Sequence, residues 1–107
     1  MFHDIVLAPI AARQLMALRA HVRAAVRDAM EDHLRHRPTQ LSRSRIKRLQ
    51  GLEQPQYRLR VGDVRVFYDV AGPRVEVLAI VTKAQADAWL HAKGVVHEAG
   101  PAGEDEG

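Results

Sequence analysis

The segment YRLRVGDVRVFY, Tyr57 to Tyr68, constrains this chain more than any other stretch. It alternates apolar and polar residues, meets Gly62-Asp63 at its midpoint and alternates again, which is the pattern of a β-hairpin with a two-residue loop. Folded at that turn, Val61 faces Val64, Arg60 faces Arg65, Leu59 faces Val66, Arg58 faces Phe67 and Tyr57 faces Tyr68. One side of the ribbon is apolar. The other sets two guanidinium groups across from each other, an arrangement that costs stability because like charges on opposed strand positions repel.

The elements around the hairpin follow from periodicity. FHDIVL, Phe2 to Leu7, alternates as a short strand, and Pro9 suits the first turn of a helix. From Pro9 to His36, Leu15, Leu18, Val22, Val26, Ala29, Met30 and Leu34 recur at steps of three and four, the spacing of one helix face. A single rod of that length would run about 42 Å, long for a domain with a radius of gyration near 13 Å. A break near Ala20-His21 is therefore expected, giving two antiparallel helices, the second ended by Pro38. Arg37 to Pro55 reads as mostly irregular, with Leu41, Ile46, Leu49 and Leu52 as anchors to the core. VEVLAIV, Val75 to Val81, supplies a further strand, and Thr82 and Gln85 make a capping box for a last helix closed by Gly94. The expected order is β-α-α-β-β-β-α, an α+β domain with a helical hairpin on a small, twisted, mostly antiparallel sheet.

Length and composition set the outer limits. At 107 residues the chain suits one domain, expected over residues 1–97, with an acidic tail, 98–107, expected to be disordered. With no cysteine, disulfide frameworks and thiolate metal sites are excluded. No metal and no cofactor is implied. The longest apolar run, Val6 to Ala12, is too short to span a membrane, so a cytoplasmic protein with no membrane partner is expected. Charge is uneven: residues 35–65 hold nine Lys and Arg against Glu53 and Asp63, a net of +7, whereas the tail carries Glu98, Glu104, Asp105 and Glu106. A clustered excess of this kind fits a polyanion, whose counterions it would release, or a solvated basic loop.

Carried one strand further, the same register places Val64, Val66, Tyr68 and Val70 with Val75, Val77, Ala79 and Val81 beneath the helices. The second side then gathers Arg58, Arg60, Arg65, Phe67, Asp69, Glu76, Leu78 and Ile80. Three guanidiniums over an apolar floor suit a phosphate backbone with bases laid on Phe67. Asp69 and Glu76 are also opposed, so repulsion by itself does not define a site. Arg43, Arg45, Lys47 and Arg48, just upstream, are the natural extension of an RNA-binding surface. His33 and His36 lie at helical spacing without a metal-binding motif, at a helix end where their charge complements the dipole.

Taken together, IKRLQGLEQPQYRLRVGDVRVFYDV and the later VEVLAIVTKAQADAWL resemble the RelE/ParE superfamily of bacterial type II toxins. Element order agrees from Phe2 to about Gly94, and the specific part is Leu49 to Tyr68. The resemblance implies one of two activities. RelE-like members are ribosome-dependent endonucleases that cut messenger RNA and so inhibit translation, whereas ParE-like members inhibit DNA gyrase. Both kinds are neutralised by a cognate antitoxin protein, so antitoxin, mRNA and ribosome are the implied partners. A decayed toxin that only binds its antitoxin is a further alternative.

In RelE, strand lysines and arginines act with a later Arg and a Tyr. The strand positions match Arg58 and Arg60, and the Arg after the turn matches Arg65. The later Arg is replaced by Ala84, beside Lys83, and the Tyr by Leu90, beside His91. An arginine stays protonated at any working pH, so Arg58, Arg60 and Arg65 suit charge stabilisation and not general base catalysis. Proton transfer then falls to Lys83 or His91, of which His91 is better matched by its ordinary titration range, although both also read as plain surface residues of the last helix.

Overall fold

The structure, a computed structural model, describes residues 2–96. The expected acidic tail lies outside the described residues. The chain runs β1 (Asp4–Leu7), α1 (Pro9–Ala17), α2 (Ala20–Ala29) continued by a π-helical stretch Met30–Leu34, β2 (Ile46–Arg48), β3 (Leu52–Gln54), β4 (Tyr57–Val61), β5 (Val64–Ala71), β6 (Arg74–Thr82), α3 (Lys83–Lys93) and β7 (Val95–Val96). Five strands form the main sheet in the order β1-β6-β5-β4-β2, with β1 parallel to β6 and the other pairings antiparallel. β3 and β7 pair separately. No helix among the described residues is long and apolar enough to cross a membrane.

The hairpin pairs as its sequence dictates, all five expected partners included. Gly62 takes φ +57, a conformation that side chains with a Cβ disfavour, and this sets the turn. The two helices part at Leu18 and Arg19, both extended, slightly before the expected break. No glycine is needed there, because the Arg23 guanidinium donates to the carbonyls of Met16 at 3.0 Å and Leu18 at 2.9 Å and so satisfies the end of α1. At the far end of the helical hairpin the chain turns at Pro38, whose carbonyl accepts the Tyr68 hydroxyl at 2.6 Å. A buried phenol requires such a partner.

The sheet carries a core on each side. Leu15, Val26, Met30 and Leu34 of the helical hairpin pack on Leu59, Val66, Tyr68, Val75, Val77 and Ile80. On the opposite side Ala86, Trp89 and Leu90 of α3 cover Phe67, Ala79 and Val81. This corrects the expected side assignment, which put Ala79 and Val81 under the helical hairpin and Ile80 on the open side. A register shift between Phe67 and Tyr68 is the cause: Phe67 pairs with Ala79 while Tyr68 pairs with Val77, so Leu78 is the extra residue. One inserted residue reverses the sides of everything beyond it.

The stretch Arg37 to Pro55 is also more regular than expected. Ile46 and Leu49 do anchor it, whereas Leu52 is only half-buried and pairs with Val96 in the separate β3–β7 ribbon, and Leu41 is 57% exposed. Ile46–Arg48 joins the sheet as its edge strand, with Ile46 opposite Leu59 and Lys47 opposite Arg58.

Candidate nucleic-acid interface

β2 widens the charged side of the hairpin. The Arg60 N–H donates to the Arg45 carbonyl at 2.8 Å, continuing the β2–β4 ladder one residue beyond Ile46. Alternation then puts Arg45, Lys47, Arg58, Arg60 and Arg65 on one side, since Ile46 and Leu59 between them enter the core of the other. Five of the ten predicted site residues are therefore gathered by the sheet itself.

The three hairpin arginines differ in their surroundings. Arg60 is exposed, and its guanidinium has no hydrogen-bond or ion-pair partner among the described residues. Arg58, beside Phe67, is partly buried; its Nε is enclosed without a hydrogen-bond partner. Desolvation, and then the nearby charges of Arg65 and Arg60, push its pKa below the usual arginine value. Arg65 is only 6% exposed and turns back on the hairpin, with Nη1 donating to the carbonyls of Gly62 at 2.9 Å and Val64 at 3.2 Å. Among the described residues no carboxylate pairs with any of the three. Arg58 and Arg60 thus remain available to an incoming anion, while Arg65 chiefly braces the turn and adds its positive field.

Phe67 is corrected. It is fully buried, and the indole of Trp89 stacks on it at 5.1 Å with ring planes 5° apart. α3 lies across it and leaves no ring face for a base. Arg48 leaves the cluster as well: its guanidinium lies 5.1 Å over the Tyr57 ring and donates to the Gln56 carbonyl at 3.0 Å, on the helical-hairpin side. Arg43 is exposed on the loop before β2. Lys83 and His91 are exposed on α3, and neither side chain bonds to the arginines. The Lys83 N–H does bond to the Asp63 carbonyl at 2.8 Å, which fixes the start of α3 against the hairpin turn. No group of three or more His, Cys, Asp or Glu side chains that could hold a metal occurs among the described residues.

The part of the site that sequence reasoning missed is the Arg45–Arg60 and Lys47–Arg58 juxtaposition. Its signal was the alternation of basic residues about Ile46 in RSRIKR.

Residues 5–87 match the model of the ParE toxin of the type II toxin-antitoxin system parDE. The chain belongs to this toxin family, within the RelE/ParE superfamily. Solved structures agree on the fold. The RelE–RelB complex from Pyrococcus horikoshii is similar at 20% identity over 79% of this chain and 99% of that one, with a TM-score of 0.65. A double mutant of E. coli RelE in the free state is similar at 16% identity over 83% and 92%, with a TM-score of 0.63. The E. coli DinJ–YafQ complex gives 17% identity over 78% and 96%, with a TM-score of 0.60. None of the curated proteins compared matches it.

Proposed function

We propose that this toxin acts on messenger RNA at the ribosome, laying the phosphodiester backbone against the side of the sheet that carries Arg58 and Arg60. The observation behind this is that five cations share that side and no carboxylate pairs with Arg58, Arg60 or Arg65 among the described residues. A rigid sheet that holds partly desolvated guanidiniums is suited to the negative charge that builds on phosphate oxygens when a 2′-hydroxyl attacks. The positive charge of Arg65 supports the other two. Lys83 or His91 would have to supply proton transfer once RNA is bound, and Arg45 and Lys47 would hold the flanking backbone.

Inducing the protein without antitoxin and mapping transcript ends tests this directly. Codon-phased cuts that vanish with Arg60→Ala are expected. Intact transcripts with DNA-damage signalling would overturn mRNA cleavage in favour of the second reading, a non-catalytic gyrase inhibitor. That alternative is favoured by the ParE family model and by the replacement of the later Arg and Tyr by Ala84 and Leu90. Normal growth would indicate a decayed toxin.

Either activity would be restrained by an antitoxin. Among the described residues β1 pairs on one edge only, and Val6 and Ile10 are 45% and 44% exposed, so an extended partner segment has both backbone groups and apolar side chains to cover there. A short adjacent reading frame whose product co-purifies at fixed stoichiometry is expected; co-purification undiminished by Val6→Lys would move the contact elsewhere.

A further inference from the structure

Two clefts meet at the start of β2. One, of about 210 Å³, lies between the end of the α2 helical segment and the loop before β2, and its walls include His33, Arg37, Ser42, Ser44 and Arg45. The other, of about 280 Å³, is lined by Ser44, Arg45, Arg60 and Gly62. They share Ser44 and Arg45, and among the described residues no carboxylate lines either. Each is smaller than the roughly 300–1,000 Å³ of a pocket that buries a whole small molecule. A chain of linked phosphates passing from one to the other would use both.

We infer that the first cleft is a second phosphate subsite, and that an RNA strand lying on the Arg58–Arg60 side continues around the β2 edge into it. The inference rests on the RNA-binding function proposed above and extends the path of the strand. Arg37 is exposed, and its side chain has no hydrogen-bond or ion-pair partner among the described residues, so it is available to a phosphate oxygen. Ser42 is oriented for the same task. Its Oγ accepts the N–H groups of Arg45 at 3.0 Å and Ile46 at 3.2 Å, which occupies its acceptor capacity and leaves the hydroxyl proton for an acceptor outside the loop. The Ser42 N–H donates to the Ile46 carbonyl at 3.0 Å and the Gln40 N–H to the Arg37 carbonyl at 3.2 Å, so the loop is closed on itself and needs little ordering on binding. Arg45 stands between the two clefts as the hinge of the path.

Cleavage-resistant 2′-O-methyl oligouridylates of about four and about twelve nucleotides, lengths that bracket common single-strand site sizes, provide the test by fluorescence anisotropy at several salt concentrations. The longer oligomer is expected to bind about tenfold more tightly, with a steeper salt dependence. Arg37→Glu should remove most of that advantage and flatten the slope for the longer oligomer by about 0.7 per lost phosphate contact, with the shorter oligomer unaffected. Arg60→Ala should weaken both. A length advantage that survives Arg37→Glu overturns the second subsite but leaves the arginine surface standing. Oligomers that do not bind, or that ignore Arg60→Ala, overturn both.

Discussion

Two of the cross-strand pairs of like charge in the sheet, one acidic and one basic, are treated differently by the protein. Asp69 and Glu76 oppose each other on β5 and β6, but each finds partners within the protein. The Asp69 carboxylate accepts from Gln54 Nε2 at 2.6 Å and from the Gln56 N–H at 2.7 Å, and Glu76 pairs with Arg74 at 2.8 Å. Arg60 and Arg65 oppose each other on β4 and β5 with no carboxylate against either among the described residues. Only Arg65 has internal partners, the two carbonyls at its own turn. The acidic pair is a solved structural problem, whereas the basic pair keeps its charge unpaired among the described residues. Opposed like charges therefore become informative when their remaining partners are traced.

Four substitutions would break or sharpen this contrast. The largest effect is expected for Asp69→Ala, which leaves the part-buried Gln56 N–H and the Gln54 amide without their acceptor and should lower the unfolding free energy by about 1.5–3 kcal/mol, read from urea denaturation. A loss near zero would mean the acidic pair is no better satisfied than the basic one. Next, Arg58→Met keeps the aliphatic stem but removes an enclosed, unpaired Nε, so stability should rise by about 1 kcal/mol. If mRNA cleavage is the activity, the same substitution should lower it on the order of a hundredfold. Stability and function would then move in opposite directions at one residue.

Arg60→Ala should raise stability by only about 0.5 kcal/mol through relief of repulsion. Its sharper signature is salt: added sodium chloride should stabilise the parent protein by screening the arginines and do less for the variant. Smallest of all, Glu76→Gln loses a partly exposed ion pair and a like-charge neighbour together, so the midpoint of thermal unfolding should barely change. A large drop would show that Arg74 is essential to holding the acidic pair.

The hairpin was legible because turn chemistry and alternation agree from Tyr57 to Tyr68, leaving one register. Beyond it, the sequence VEVLAIV is apolar on both sides of the sheet, so nothing marks Leu78 as an inserted residue, and Ala79, Ile80 and Val81 changed sides. That slip, together with α3 crossing the second side of the sheet, is why Phe67 became core and not a platform. β2 escaped notice because an edge strand buries little: Ile46 is its one buried side chain. The arginines of the site were readable as residue types in a pattern. Their separate environments depend on which carbonyl or helix comes near, and that is settled by tertiary packing.

The turn at Gly62-Asp63 concentrates several duties in two residues. Arg65 is latched to the Gly62 carbonyl, the first turn of α3 is hitched to the Asp63 carbonyl, and Gly62 also walls the cleft beside Arg60. The hydrophobic layers lie behind this point and ask little of it. One change at that tip would therefore reach the seating of an arginine, the start of the last helix and the wall of a cleft together, a density of consequence found in few pairs of adjacent residues on a surface loop.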